Sequence, residues 1–570
     1  MLRIERSLSE RLPWLAQHPS IRRPMAGMLG RLADEDGFNR VLDRVGDSEG
    51  LDFVERVLDV LGTSYHVNQR ERENIPVDGA LLVVANHPLG MQDALALLQL
   101  VSSVRSDVRI LGNYWLAVVP PLRKLLLPID VFGNGATSRL RDVYRALDNG
   151  EALIVFPAGE VSRVGPAGVR DGRWSDGFAR LSRRSKAPVL PVHIAARNST
   201  MFYGLSMLAK PLSTAMLPRE AVAPGERRIG FSIGALVSAE ELQRRSGGSS
   251  EQAARLMRRH VYRVGRHRGP IFGGQAPLAH PEPAERVAAE LQQAEKLADL
   301  NDGKQAWLFK GALDSTVMRE IGRLRELTFR KVGEGTGARR DLDAYDPHYE
   351  HLVLWDTKAL RIVGSYRLGH GGQLIAARGM SGLYTSSLFH YSPALESRLA
   401  QGLELGRSFI APAYWRTRAL DQLWQGIGLY LQRHAELRYL FGPVSMSVSL
   451  PREAREWIAV AHQHYFGAPG LAEPRQPFVV SPSMIEQVRH SLDGLDAQQG
   501  LGKLKHHLDA LGVGLPVLYR QYVDLVEAEG VQFLGFGEDP GFSGCVDGLV
   551  MLDLANLKPA KRARYLGKAG

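Results

Sequence analysis

The stretch Leu81-Leu82-Val83-Val84-Ala85-Asn86-His87-Pro88-Leu89-Gly90-Met91-Gln92-Asp93 constrains this chain more than any other. An apolar run that stops abruptly at Asn-His-Pro predicts a buried strand, and the Ala/Leu-rich continuation from Ala94 to Leu98 predicts a helix after Gly90. Such a unit puts His87 at the mouth of a strand and Asp93 in the first turn of the next helix. Further apolar runs at Val108–Gly112, Leu153–Phe156 and Val189–Ile194, separated by helical segments, predict a three-layer α/β domain.

At 570 residues the chain is too long for one hydrophobic core. Helical spacing at Phe53, Val57, Leu58, Val60 and Leu61 marks residues 1–75 as a helical preface, and the α/β domain follows over 76–268. Pro and Gly residues from Gly269 to Pro283 read as the start of a linker, 269–303, in which a helix with Glu285, Val287, Leu291, Ala294 and Leu297 bridges to a second unit. A second unit over 304–560 has strands at Leu352–Trp355, Ile362–Leu368 and Leu440–Val448 and a helix at Leu420–Arg433. The two halves show no internal repeat, so the chain reads as a fusion of different domains.

Lys and Arg number 71 against 61 Asp and Glu, a net charge of +10 that suits an acidic partner: nucleic acid, an anionic membrane or an acidic carrier protein. No nucleic-acid recognition module accompanies the charge. A single cysteine, Cys545, excludes intramolecular disulfides and thiolate-rich metal sites and points to a reducing compartment. The N-terminus has no signal-peptide core, and the apolar stretch Trp115 to Val131 is broken by Arg123, Lys124 and three prolines, so contact with a membrane is expected to be peripheral. His193, His260 and His267 lack metal-ligand spacing, and no metal is expected. Gly46-Asp47-Ser48-Glu49-Gly50 spells a hydrolase elbow without the apolar strand it needs, and reads as a polar turn.

A histidine with a carboxylate partner can take a proton from a hydroxyl, because the carboxylate sets the tautomer and stabilises the imidazolium. The pair can equally be a strand cap and a helix N-terminal charge. The wider pattern bears on this choice. Asn86-His87-Pro88 followed by Asp93 resembles the His, four residues, Asp signature of glycerolipid and lysophospholipid acyltransferases, in the longer form found in acyltransferases of ornithine-lipid synthesis. Ile129 to Gly133 through Arg139, Phe156-Pro157-Ala158-Gly159-Glu160-Val161-Ser162-Arg163 and Pro188 to His193 follow in the family's order. The resemblance implies His87 and Asp93 as catalytic residues and Asn86, Gly159, Glu160 and Arg163 as substrate-binding ones. Ala158 stands where the family carries a glutamate that helps hold an acceptor phosphate, which implies a different acceptor. Trp115, Leu116, Val118, Leu122, Leu125, Leu126 and Leu127 read either as an apolar lip at a bilayer or as buried core.

In the second unit Arg325 and Phe329, Asp343 and Asp346, Gly364 to Arg367, and Glu404 to Ile410 form an ordered set that resembles the acyl-homoserine-lactone synthases and the ornithine N-acyltransferases of the GNAT superfamily. This implies a charged network of Arg325, Asp343, Asp346, Arg367 and Arg407 around the substrates, with Glu404 as the base for an amine attacking a thioester. Strand-end salt bridges are the plainer alternative. Pro412 to Arg418 lacks the glycines of a coenzyme A pyrophosphate loop and is basic instead, which favours the phosphopantetheine arm of acyl carrier protein as donor, with no bound cofactor. The fold expected is therefore α/β throughout: a glycerolipid-acyltransferase-like domain followed by a GNAT-like domain. The function implied is bifunctional: N-acylation of ornithine from a 3-hydroxyacyl carrier protein, then O-acylation of the lyso-lipid from acyl carrier protein with His87 activating the new hydroxyl, peripherally on the cytoplasmic membrane face. A glycerolipid acyltransferase with a degenerate second domain and a non-catalytic lipid-binding protein are the rival readings.

Overall fold

Leu81–Ala85 is buried at every position and forms the middle strand of a seven-stranded sheet. The computed structural model describes residues 27, 30, 34–112, 120–128, 136–165, 168–208, 213–214, 216–223, 225–274 and 276–567, and the chain divides into two compact units, Met1–Pro277 and Leu278–Gly570. Strands of the first unit are β1 (Thr63–Val67), β2 (Leu81–Ala85), β3 (Val108–Gly112), β4 (Leu126–Pro128), β5 (Ala152–Val155), the hairpin β6 (Arg163–Gly165) and β7 (Gly168–Arg170), β8 (Val189–Ala195) and β9 (Arg227–Ile233). The main sheet runs β1-β9-β8-β2-β5-β3-β4, parallel except between β8 and β9. A parallel sheet needs cover on both faces, and the side-chain alternation of β2 supplies two of them. Leu81, Val83 and Ala85 pack with Phe53, Val57, Leu95 and Leu98 of the helices Gly50–Val60 and Met91–Ser102. Leu82 and Val84 pack on the other face with Val143, Phe178, Leu181, Met257 and Val261.

The second unit is built on an eight-stranded sheet. Its strands are β10 (Glu295–Asp299), β11 (Lys304–Phe309), β12 (Glu350–Asp356), β13 (Arg361–His370), β15 (Gly402–Ile410), β16 (Tyr439–Met446), β18 (Val531–Asp539) and β19 (Cys545–Asp553), with the small pair β14 (Phe389–Tyr391) and β17 (Ala472–Pro474) apart. The order is β10-β11-β12-β13-β15-β16-β19-β18, and only β15 and β16 run parallel. That pair is in register for just three residues, Gly402 to Glu404 against Tyr439 to Phe441, after which the two strands part. Gly442 stands at the fork, where any Cβ would overlap the carbonyl oxygen of Leu405.

On its other edge β15 carries a bulge: Gly406 faces Arg367 and Phe409 faces Ser365, so Arg407 and Ser408 together oppose Tyr366. Arg407 takes φ 48°, the left-handed region. The extra residue reverses the strand's alternation. Leu403 and Leu405 pack with the helix Ala419–Arg433, whereas Phe409 packs on the opposite face with Phe329 and Phe542.

Two sequence expectations change here, and one open alternative is decided. Residues 1–75 were expected to be helical, but Thr63–Val67 is a strand paired in parallel with β9, a short β-branched and aromatic run that helical periodicity conceals. Within 269–303, the expected helix is present as Ala284–Leu291, but it packs Val287 and Leu291 into the second unit's core rather than serving as a linker, and Glu295–Asp299, expected to continue the helix at Leu297, is β10 paired with β11. Leu122, Leu125, Leu126 and Leu127 are buried core rather than an exposed lip. Trp115, Leu116, Val118, the block 129–133 and the side chain of Arg139 lie outside the described residues. Among the described residues no helix is long and apolar enough to cross a membrane.

Candidate active sites

The turn between β2 and the Met91–Ser102 helix is fastened from several sides. Asn86 donates through Nδ2 to the Ile194 carbonyl (2.9 Å) and accepts from the Ile194 amide (2.7 Å), fixing the end of β2 against β8. Pro88 offers its carbonyl to Asn198 (3.0 Å). Gly90, with φ 98° and Val161 3.3 Å from where a Cβ would stand, takes up the extra residue of the turn. The Asp93 carboxylate, fully buried, therefore reaches back: Oδ2 accepts from the Leu89 amide at 2.8 Å and Oδ1 lies 3.2 Å from Nδ1 of His87. The His87 ring stacks on Phe156, centroids 4.1 Å apart.

A second carboxylate supports the same histidine, and no spacing rule in the sequence pointed to it. Asp171, just after the β6–β7 hairpin, accepts from the His87 backbone amide at 3.2 Å, from Ser162 Oγ at 2.5 Å and from Trp174 Nε1 at 2.8 Å. The Ser162 amide in turn donates to the His87 carbonyl (2.7 Å). Burial works against a charged imidazole, but the charge of the Asp93 carboxylate 3.2 Å away, together with that of Asp171, outweighs it and holds the His87 pKa above the ordinary 6.5.

The 156–163 block is thus joined to His87 through Phe156 and Ser162. Gly159 turns the chain at φ 65°. Glu160, largely exposed, pairs with Arg163 at 3.3 Å. Arg163 points its guanidinium at hydroxyls, donating to Ser206 (2.8 Å), Ser213 (2.6 Å) and Thr214 (3.1 Å).

In the second unit the predicted charged residues converge on one network. Arg325 and Asp346, both fully buried, pair at 2.8 Å, and Arg325 also meets His351 Nδ1 at 3.2 Å. Arg367 bridges Asp343 (2.7 and 2.8 Å) and Asp346 (3.2 Å). Arg407 joins through Asp341 (3.3 Å) and Asp343 (3.6 Å). Three arginines thus meet three aspartates, and the Arg367 and Arg407 guanidinium groups lie 4.7 and 4.9 Å from the Tyr384 ring centre. Burial would raise the Asp346 pKa, but Arg325 and Arg367 together outweigh it and hold the carboxyl well below the usual range. Asp343 and Asp346 are both taken up by arginine partners.

Glu404, on β15 beside the fork, is buried and fully coordinated. Oε1 accepts from the Thr385 amide (2.7 Å) and hydroxyl (2.6 Å), and Oε2 accepts from the Tyr384 amide (3.1 Å) and the Tyr349 hydroxyl. A different carboxylate stands next to the parted end of β16. Asp547 of β19, registered opposite Ser445, accepts from its hydroxyl at 2.6 Å. Burial, reinforced by Asp539 and opposed by Ser445 and Arg407, lifts Asp547 to about 7, and burial with the charge of Asp547 lifts Glu334 to about 7. Sequence spacing does not join either carboxylate to the network, because Asp547 lies more than a hundred residues from it and Glu334 is separated from it by a turn. At the other lip of the fork, Trp415 to Arg418 are exposed, and Arg418 immediately precedes the Ala419–Arg433 helix.

These two sites, a carboxylate-backed histidine on a parallel α/β sheet and a bulged, forked parallel pair within an antiparallel sheet, define an acyl-transferring protein of two domains. The chain matches the family model described as "Acyltransferase" over residues 6–267 and that described as "Acetyltransferase (GNAT) domain" over 324–425. It is 33% identical over 262 residues to the glycine N(alpha)-acyltransferase of Bacteroides thetaiotaomicron, covering 44% of this chain and 77% of that protein. The lyso-glycine lipid O-acyltransferase of the same organism is 32% identical (34% and 72% covered), and the L-ornithine N(alpha)-acyltransferase of Brucella abortus is 31% identical (26% and 61% covered). The chain belongs to this acyltransferase family and joins its acyltransferase and GNAT domains in one polypeptide.

Proposed function

We propose that the chain makes an amino-acid lipid in two acyl transfers. The second unit N-acylates the α-amine of an amino acid from a 3-hydroxyacyl carrier protein, and the first unit then O-acylates the 3-hydroxyl so introduced. The order follows from chemistry, since that hydroxyl exists only after the amide forms. The observation that carries the reading is the His87 Nδ1 to Asp93 Oδ1 contact of 3.2 Å, a base for a hydroxyl, in a chain that also holds a forked GNAT-type sheet.

In the first step the amine attacks the thioester carbon, the thiolate leaves, and the bulge at Arg407 and Ser408 offers backbone donors to the oxyanion. The amine's proton passes to a carboxylate. Glu404 is the residue implied by the family pattern, but its four donors make it a support for the 383–385 loop, whereas Asp547, lifted to about 7, has the affinity for a proton that a base at neutral pH needs. In the second step His87 takes the hydroxyl proton as the oxygen attacks the thioester carbon of a second acyl carrier protein and the thiolate leaves, with Asp93 and Asp171 stabilising the imidazolium, whose proton then goes to the thiolate, and Arg163 and Glu160 lining the acceptor side. The relatives named for glycine and ornithine support an α-amino acid acceptor, and we read it as ornithine. Exposed Arg416 and Arg418 favour an acidic carrier protein as donor, and the net charge of +10 favours a peripheral position on the cytoplasmic face of a membrane.

Expression in a host that makes no amino-acid lipids, followed by lipid mass spectrometry, tests this. Diacylated ornithine lipid is expected from the intact chain. A diacylated glycine lipid would replace the ornithine assignment, and absence of any amino-acid lipid would reject the proposal.

A further inference from the structure

His370, His434 and Glu436 come from separate elements and have no role in either transfer. His370 ends β13, His434 caps the C-terminus of the Ala419–Arg433 helix, and Glu436 lies in the turn that leads to β16. Glu436 Oε1 is 3.0 Å from His370 Nε2 and 3.2 Å from His434 Nδ1, and the three candidate ligand atoms lie within 4.8 Å of one another. The His370 side chain is mostly buried, that of His434 partly, and Glu436 is exposed, so the trio opens to solvent on one side.

We propose that this trio is a site for a divalent transition metal, with zinc the best match. Two imidazole nitrogens and one carboxylate oxygen form the donor set that borderline ions such as zinc favour, and metal–ligand distances of about 2.0–2.2 Å require ligand atoms some 3–3.5 Å apart. Two of the three separations are close to this already, and the third, between the two imidazole nitrogens and within 4.8 Å, closes by a small turn of the partly exposed His434 ring. A water completes the tetrahedron from the open side.

The chemistry balances without any added reactant. In the metal-free protein both imidazoles donate to Glu436. Metal binding moves each ring proton to the opposite nitrogen, and His370 Nδ1 then gives up only its 3.4 Å acceptance from the Gln373 amide, long for a hydrogen bond. The Tyr430 ring, 4.4 Å from that of His434 and itself tied to Glu350 (2.8 Å), steadies the second ligand.

The site's place in the sheet indicates its role. His370 registers with Leu403 of β15, and β15 pairs with β16 only at Gly402 to Glu404. A metal held by His370 and the 434–436 turn therefore spans β15 at the closed end of the fork, leaving the open end free. Its function is to fasten the parallel pair, and this is independent of the reading of the acyl transfers.

The test is zinc titration of the full chain, stripped with a chelator, against a chromophoric zinc indicator, with thermal unfolding in parallel. One equivalent bound, with a higher unfolding midpoint, is expected. His434→Ala and the exposed Glu436→Gln should each weaken binding by on the order of tenfold or more, and cobalt should give a tetrahedral visible spectrum only in the unaltered chain. Zinc bound equally well by Glu436→Gln and His434→Ala, or no zinc bound by the intact chain, overturns the proposal. Circular dichroism of Glu436→Gln separates loss of the site from loss of the fold.

Discussion

Nδ1 of His87 and Oδ1 of Asp93 lie 3.2 Å apart although five residues separate them in the chain, and the turn that permits this depends on Gly90 at φ 98°. The usual shorter spacing would place both side chains on the turn directly. Here a residue with access to the left-handed region absorbs the surplus and the contact survives.

Loss of the base separates the two transfers. His87→Ala should lower O-acylation by about 10²–10⁴-fold while leaving N-acylation intact, so the monoacylated lyso-lipid should accumulate in the lipid mass spectrum. Unchanged diacyl product would remove His87 from the mechanism.

Asp171 should reveal itself in a pH profile. A general base works in its neutral form, so a pKa held above 6.5 puts the acid limb of O-acylation above that value. Asp171→Asn removes one of the anions that hold it there, and the limb should move to lower pH even though the maximal rate falls. The same raised pKa adds stability below about pH 6.5 that is lost as pH rises through the folded-state value. A limb that stays in place in Asp171→Asn, measured on lyso-lipid as acceptor, would leave Asp171 only a packing role.

Asp346 sits between Arg325 and Arg367 with no access to solvent. Asp346→Ala leaves the buried Arg325 guanidinium without its carboxylate, while Arg367 keeps Asp343, and should cost about 3–5 kcal/mol, read as a lower urea midpoint for the second unit. Since the arginines hold its pKa below the usual carboxylate range, its stabilisation is present above the unfolded value of about 3.9 and is lost as pH falls through the folded one.

Glu404→Gln and Asp547→Asn should differ in kind. A base lifted to about 7 must lose its proton to act, so N-acylation in the unaltered chain should rise with pH through about 7, and Asp547→Asn should abolish that rise along with most of kcat. Glu404→Gln should loosen the 383–385 loop and act on KM and stability. If that ionisation persists in Asp547→Asn and disappears in Glu404→Gln, the base is Glu404.

Local pattern was enough for much of the fold. Apolar runs bounded by turn residues marked β2, β3, β5 and β8, because strand burial and turn chemistry are written in adjacent residues. Ordered motifs likewise exposed His87, Asp93 and the arginine–aspartate set. Thr63–Val67 and Glu295–Asp299 were missed because a short strand is recognisable mainly by its partner, here β9 and β11.

By itself, then, the sequence determined the two α/β units, the His87–Asp93 turn and the membership of Arg325, Asp343, Asp346, Arg367, Glu404 and Arg407 in one group. Tertiary structure alone decided which carboxylates are spent on arginines, that Glu404 is saturated by donors from the 383–385 loop and Tyr349, that Asp171 reaches the amide of His87, and that His370 meets His434 and Glu436. The reason is physical. Periodicity and turn propensity act over a few residues, whereas charge pairing, desolvation and ligand geometry depend on distances between segments that only the folded sheet brings together.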